Sequence, residues 1–136
     1  MPAGKPRLKG MSAVIYLKTM SILFTLAIGL PLLIVPLSWA RLMRWQIPAD
    51  TDLTNYFGRC LGAVVTAIAF LVFVYADKGA LHAFMLELLL GAFALMVAVH
   101  VWGFLKRAQP WTETAEIPLY LLLSLSAAGF RFGWFA

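Results

Sequence analysis

The chain has 136 residues, the length of a single domain. Hydrophobic residues make up 62 % of it and charged residues 12 %, against about 45–50 % and about 25 % in soluble domains, which excludes an ordinary water-soluble globule and a disordered chain. The net charge is +5, but the charges sit at the ends of apolar runs and form no long basic patch, a distribution that marks membrane topology and excludes a nucleic-acid surface.

Residues 1–18 form a basic N-terminal segment, with Lys5, Arg7 and Lys9 among prolines and a glycine. That composition predicts a flexible stretch near a membrane face. A transmembrane domain is expected over 19–136. A spanning helix needs roughly 20 mostly apolar residues, and four runs meet that length. The first, about 19–40, is uncharged and too long for the roughly 7–15-residue core of a cleaved signal. Gly29, Pro31 and Pro36 predict a bend in it. The second, about 53–76, opens at an Asp52 or Thr54 cap, which places Arg59 in its first turns. The third, about 79–105, is interrupted by His82, Glu87 and His100. The fourth, about 115–135, carries Pro118 in its first turn, where proline is tolerated, and Arg131 near its end. The expected fold class is all-α, an integral membrane four-helix bundle.

Trp39, Trp45, Trp102, Trp111 and Trp134 fall at predicted helix ends, as an aromatic belt does. Lysine and arginine divide almost evenly between the two faces. The basic block ahead of the first helix sets a cytoplasmic N-terminus, and an even number of spans then sets a cytoplasmic C-terminus. A bacterial inner membrane is expected, since the hydrophobicity follows helices and not alternating strands.

Small residues recur at helix-packing spacing. Gly58, Gly62 and Thr66 make one ridge; Gly91, Ala94 and Ala98 make a second; Ser124 and Ala128, with Gly129 and Gly133, line the fourth helix. Lipid gives helices no hydrophobic drive to associate, so close approach at small residues supplies the contact energy. Such ridges serve a compact bundle or grip another subunit.

An ionisable group at membrane depth costs a few kcal/mol and needs a partner or a task. Helix order gathers Arg59, His100, Glu113 and Glu116 at one face, and His82, Glu87 and Arg131 at the other. Arg59–Glu116 and Glu87–Arg131 are the expected pairs, as arginine–carboxylate contacts neutralise both groups. Such pairs lock helix register; the alternative is a polar cavity for a lipid headgroup, a quinone-like molecule or a proton. Helical phase puts Glu87 with Gly91, Ala94 and Ala98, and His82 with Met96 and His100, about 140° away. Taking the small-residue face as the core predicts that Glu87 points inward and that His100 snorkels or meets a partner.

No enzyme signature is present: HExxH, GxSxG, the P-loop and GxGxxG are all absent. Cys60, the single cysteine, rules out an internal disulfide, a CxxC pair and a thiolate zinc site, and reads as a buried bystander. No metal site is expected. No cofactor is predicted either: the two histidines lie about 27 Å apart along one helix, so a haem would need a methionine or a partner's histidine, and a quinone is a further low alternative. A drug exporter would place an acid in the first helix, which has none.

The first helix ends in Leu30-Pro31 through Val35-Pro36, the second opens with Asn55, Arg59 and Gly62 in an Asn-x-x-x-Arg-x-x-Gly pattern, and Glu116 opens the fourth. In these features the chain resembles the small bacterial four-helix membrane proteins related to the DoxX-like families. Where those often carry an arginine in the third helix, this chain has Glu87 and His100. The resemblance implies the four-helix architecture and a role as a membrane partner of redox systems or as a scaffold. The expected function is that of a non-enzymatic accessory or scaffold protein, packed with itself or a larger complex among membrane lipids. The alternative is a small-molecule binding protein, carrier or lipid-modifying enzyme with a polar site at one membrane face.

Overall fold

The computed structural model describes residues 6–135, with side chains from Ser12 onward. The start of the basic segment, with Lys5, and the side chains of Arg7 and Lys9 lie outside the described residues. The elements in order are α1 (Pro6–Phe24), a π-helical turn (Thr25–Gly29), α2 (Leu30–Ile34), α3 (Pro36–Leu42), α4 (Asp52–Tyr75), a 3-10 turn (Gly79–Leu81), α5 (His82–Lys106) and α6 (Trp111–Phe132). No strand occurs among the described residues. Four stretches there are long and apolar enough to cross a membrane: Ser12–Ile34, Asp52–Tyr75, Gly79–Lys106 and Trp111–Phe132. The first helix starts well before residue 19 because Pro6 is preset for a helical N-terminus and Gly10 is the lone breaker in the turns that follow.

The chain divides into two compact units, Lys18–Tyr75 and Ala76–Ala136 together with the residues up to Leu17. In the Lys18–Tyr75 unit the prolines bend the first apolar run as expected. Pro31 has no N–H to give the Ala27 carbonyl four residues back. The Trp39 indole N–H donates to that carbonyl instead, at 2.9 Å. Ahead of it the backbone widens into the π turn, with the Leu30 N–H on the Thr25 carbonyl. Val35, preceding Pro36, leaves the helical region at φ −132° and ψ 57°, which separates α2 from α3. The Gly58–Gly62–Thr66 ridge of α4 packs on this bent run. A Cβ at Gly62 would fall 2.7 Å from the Gly29 oxygen and 2.8 Å from the Leu32 carbonyl carbon, and one at Gly58 would fall 2.6 Å from the Pro36 Cβ. Backbone cannot give way as a side-chain tip can, so glycine at Gly62 is a condition of the packing. The helix starts at Asp52, so the cap position falls on Thr51, whose carbonyl takes the Asn55 N–H at 2.8 Å, and not on Asp52 or Thr54; Asp50 accepts the Asp52 N–H at 3.1 Å in the turn ahead of it. Cys60, expected buried, is exposed.

In the other unit α5 and α6 form an antiparallel hairpin. α5 stops where Arg107 turns left-handed at φ 52°. Gln109 then crosses the space left by Gly103 and donates to the Thr114 hydroxyl at 3.1 Å. α6 starts at Trp111, earlier than expected, so Pro118 lies inside the helix and not in its first turn. It ends at Gly133, left-handed at φ 75°.

The inward face of α5 is the reverse of the one expected. Met85, Leu86, Phe93 and His100 are buried, while Gly91, Ala94, Ala98 and Glu87 are exposed. The reason lies on α6, which buries Ser124, Ala127, Ala128 and Gly129. A close helix pair needs small residues on one partner only. Large side chains of α5, repeating every seven residues at Leu86, Phe93 and His100, fill the shallow face of α6. Near its middle, α1 adds a hydrogen bond at 2.9 Å between Tyr16 and Ser126 and a ring stack of Tyr16 on Phe130 at 4.5 Å.

Candidate functional site

The link end of the α5–α6 hairpin gathers three titratable side chains. His100 lies six residues before the last residue of α5 and is 3 % exposed. Its Nδ1 lies 2.7 Å from the Met96 carbonyl oxygen one turn back. A carbonyl only accepts, so Nδ1 carries the proton and Nε2 faces the other way. Nε2 lies 3.0 Å from Glu113 Oε2 and 3.5 Å from Glu116 Oε2.

The early start of α6 makes this arrangement. With Pro110 as N-cap and Trp111 as the first helical residue, Glu113 is the third. At that position a glutamate usually reaches back to the N-cap N–H. Pro110 has none, and the Glu113 carboxylate turns to His100. Glu116 follows three residues on, and Tyr120 four beyond that, so all three lie on one helix face. Tyr120 is buried; its hydroxyl hydrogen-bonds to Glu116 and its ring sits 5.0 Å from that of His100. Sequence reasoning missed Tyr120, although its spacing from Glu116 was the signal.

With Nδ1 protonated, a neutral His100 would aim the Nε2 lone pair at carboxylate oxygens. A proton or a cation must therefore lie between Nε2 and the carboxylates. The nitrogen's hydrogen bond is taken up by Glu113, and a second carboxyl group lies beside it. Each of the three side chains offers one ligand atom, all within 4.8 Å of one another, so the set could also hold a metal ion. Among the described residues these are the His, Cys, Asp and Glu groups that come together in this way.

The other predicted polar residues are placed differently. Arg131 and Glu87 are paired as expected, at 2.6 Å, but with side chains 32 % and 54 % exposed. His82 does not join them; its Nε2 donates to the Ala76 carbonyl at 2.6 Å and ties down the turn before α5. Arg59 lies in the Lys18–Tyr75 unit, exposed and without an ion pair in that unit among the described residues, and Glu116 meets His100 in the expected place of Arg59. That unit holds a cleft of about 300 Å³ lined by Ser21, Ile22, Thr25, Leu26, Thr66 and Phe73, beside the π turn. Its lining is almost wholly apolar, and it includes none of the predicted polar residues.

Fold and site together define an all-helical chain with four potential membrane spans and, at one hairpin end, a cluster of buried His100 and Glu113 with half-buried Glu116. Comparison with family models, with curated proteins and with solved structures gives no match.

Proposed function

We propose that the chain is a multi-pass protein of the bacterial inner membrane, a four-helix bundle with both termini cytoplasmic, that binds a small ligand at the His100–Glu113–Glu116 cluster. Support for the membrane comes from what the helices leave uncovered. The most apolar window of Gly79–Lys106 is 11 % buried, and Leu95, Val99 and Leu105 are among its exposed residues. Water does not tolerate such surface on a monomer; lipid does. Trp102 and Trp111 are exposed near the hairpin link, where Lys106 lies 4.9 Å over the Trp102 ring. These are the residues of a membrane interface. His100 lies about 9 Å below Lys106 along the helix, a depth that a headgroup, a quinone-like head or a proton reaches from the interface.

The observation that carries the ligand reading is the second carboxylate. A histidine that merely pins α5 to α6 needs one acceptor, and Glu113 supplies it. Glu116, held by Tyr120 at 3.5 Å from the same nitrogen, is one acid more than a clamp requires. A second reading, an accessory or scaffold role in the manner of the DoxX-like group, is favoured by a different feature. The Gly91–Ala94–Ala98 ridge is exposed, and a Cβ at Gly91 would meet nothing within 4 Å. Small-residue faces are where membrane helices associate.

Purification in mild detergent, with native mass spectrometry and lipid extraction on one sample, separates the two. The ligand reading expects a stoichiometric bound species on a monomer or small oligomer, lost in both His100→Ala and Glu116→Gln. A larger assembly carrying no such species, unchanged by either substitution, overturns that reading in favour of the scaffold.

A further inference from the structure

Resting on the reading of the cluster as a binding site, we infer that His100, Glu113 and Glu116 form a site for one first-row divalent transition-metal ion. Three observations converge on it. First, the Nδ1 proton on the Met96 carbonyl, at 2.7 Å, fixes the neutral tautomer in which Nε2 carries the lone pair that a metal would take. Metal-binding histidines are oriented in this way, by a carbonyl or carboxylate on the far ring nitrogen.

Second, the donor spacing suits a metal. With metal–ligand bonds of about 2.0–2.2 Å, two donors of a tetrahedral ion lie about 3.3–3.6 Å apart. Nε2 lies 3.0 Å from one carboxylate oxygen and 3.5 Å from the other, and the three atoms span no more than 4.8 Å. Small side-chain rotations close that triangle around an ion. The second distance is long for a hydrogen bond to Nε2 but ordinary for a ligand edge.

Third, the charge balances. Bound to an ion as carboxylates beside a neutral imidazole, Glu113 and Glu116 would bring −2, which a divalent cation cancels. The Tyr120 hydroxyl on Glu116 orients that carboxylate from behind. An imidazole in the set disfavours calcium and magnesium, which take oxygen, and points to zinc or manganese. Three protein ligands leave a coordination position for a further small ligand.

The test uses the full chain in mild detergent, stripped with a chelator and titrated separately with Zn2+ and Mn2+, with bound metal counted per chain. One saturable ion per chain is expected. His100→Ala, Glu113→Gln and Glu116→Gln each weaken it at least tenfold, and Glu87→Gln, at the far end of the hairpin, leaves it unchanged. Tyr120→Phe keeps all three donors and weakens binding about tenfold, the lower end for a residue that orients a ligand. Helix content and elution volume show which variants fold, and the folded ones decide. A folded wild type that takes up neither ion, or uptake that survives all three donor substitutions, overturns the assignment. If metal fails to bind while an organic species still co-purifies and is lost in His100→Ala and Glu116→Gln, the cluster remains a binding site and the metal alone falls. If neither binds, both fall.

Discussion

At the link end of the α5–α6 hairpin, His100 is 3 % exposed and faces two carboxylates, the nearer at 3.0 Å. At the open end, Glu87 and Arg131 meet at 2.6 Å with side chains 54 % and 32 % exposed. The same two helices thus carry two acid–base contacts, and the shorter one is the cheaper to break. Surroundings screen an exposed pair, which contributes roughly 0–1 kcal/mol. A buried pair is different in kind: its net worth is small, yet removing one partner costs several kcal/mol, because the other is left charged and without water. Burial decides what each contact does. The open end joins helices through a solvent-screened contact; the link end sets an imidazole and two carboxyl groups against one another with little access to water.

The largest effect expected is at His100. His100→Ala leaves Glu113 and Glu116 facing each other and should cost about 3–5 kcal/mol. Chemical unfolding in mixed micelles measures it. Adding Glu116→Gln should recover part of the loss, since residues in direct contact do not add. A loss under about 1 kcal/mol would place the link end in the same class as the exposed pair and erase the contrast.

Next comes the face on which the hairpin closes. Ala128→Leu puts a large side chain on the shallow side of α6, where α5 already supplies Leu86 and Phe93. Overpacking of this kind costs about 1–3 kcal/mol. The same unfolding experiment reads it, and an unchanged midpoint would mean that α6 does not receive the large residues of α5.

The contrast between the two ends was only half legible in the sequence. Glu87 and Arg131 can be paired from helix order alone, because it brings an acid of one helix and a base of the next to the same end of an antiparallel hairpin. The prolines likewise announce the bend at Val35, and Gly58, Gly62 and Thr66 announce a close-packed ridge, since these residues act through local backbone rules. The inward face of α5 was not legible. Its periodicity offers two candidate faces, one small and one large, and the choice depends on α6. His100 went with the wrong face for that reason. Glu113 was placed in a loop, because Pro110 is a poor capping residue and gives little signal that a helix opens there. Tyr120 was passed over as one more aromatic in an apolar run. Arg59 is paired with Glu116 by charge in the sequence, where an arginine is the stronger partner for a carboxylate than the His100 gathered at the same face.

At the open end a smaller effect is expected. Glu87→Gln removes the charge and keeps the shape. It should cost less than about 1 kcal/mol and shrink further as salt rises, as an exposed pair does. Unfolding at low and high ionic strength gives both numbers. A cost that exceeds this and ignores salt would mean that Glu87 is shielded in the assembled protein, by lipid or by another subunit.

The smallest effect expected is Ala94→Leu. Ala94 belongs to the ridge that reads as a core in the sequence and is exposed in the structure. Within one chain the larger side chain enters open space, so the unfolding midpoint of the monomer should stay within about 0.5 kcal/mol of wild type. Paired with Ala128→Leu, one methyl-for-isobutyl change on each helix tests the direction of the hairpin's packing without touching a charge. The ridge also separates the two functional readings. If Gly91, Ala94 and Ala98 face lipid, Ala94→Leu leaves the mass of the purified protein unchanged. If they face another helix across a subunit boundary, the leucine pushes that helix away, and the assembly dissociates while each chain remains folded.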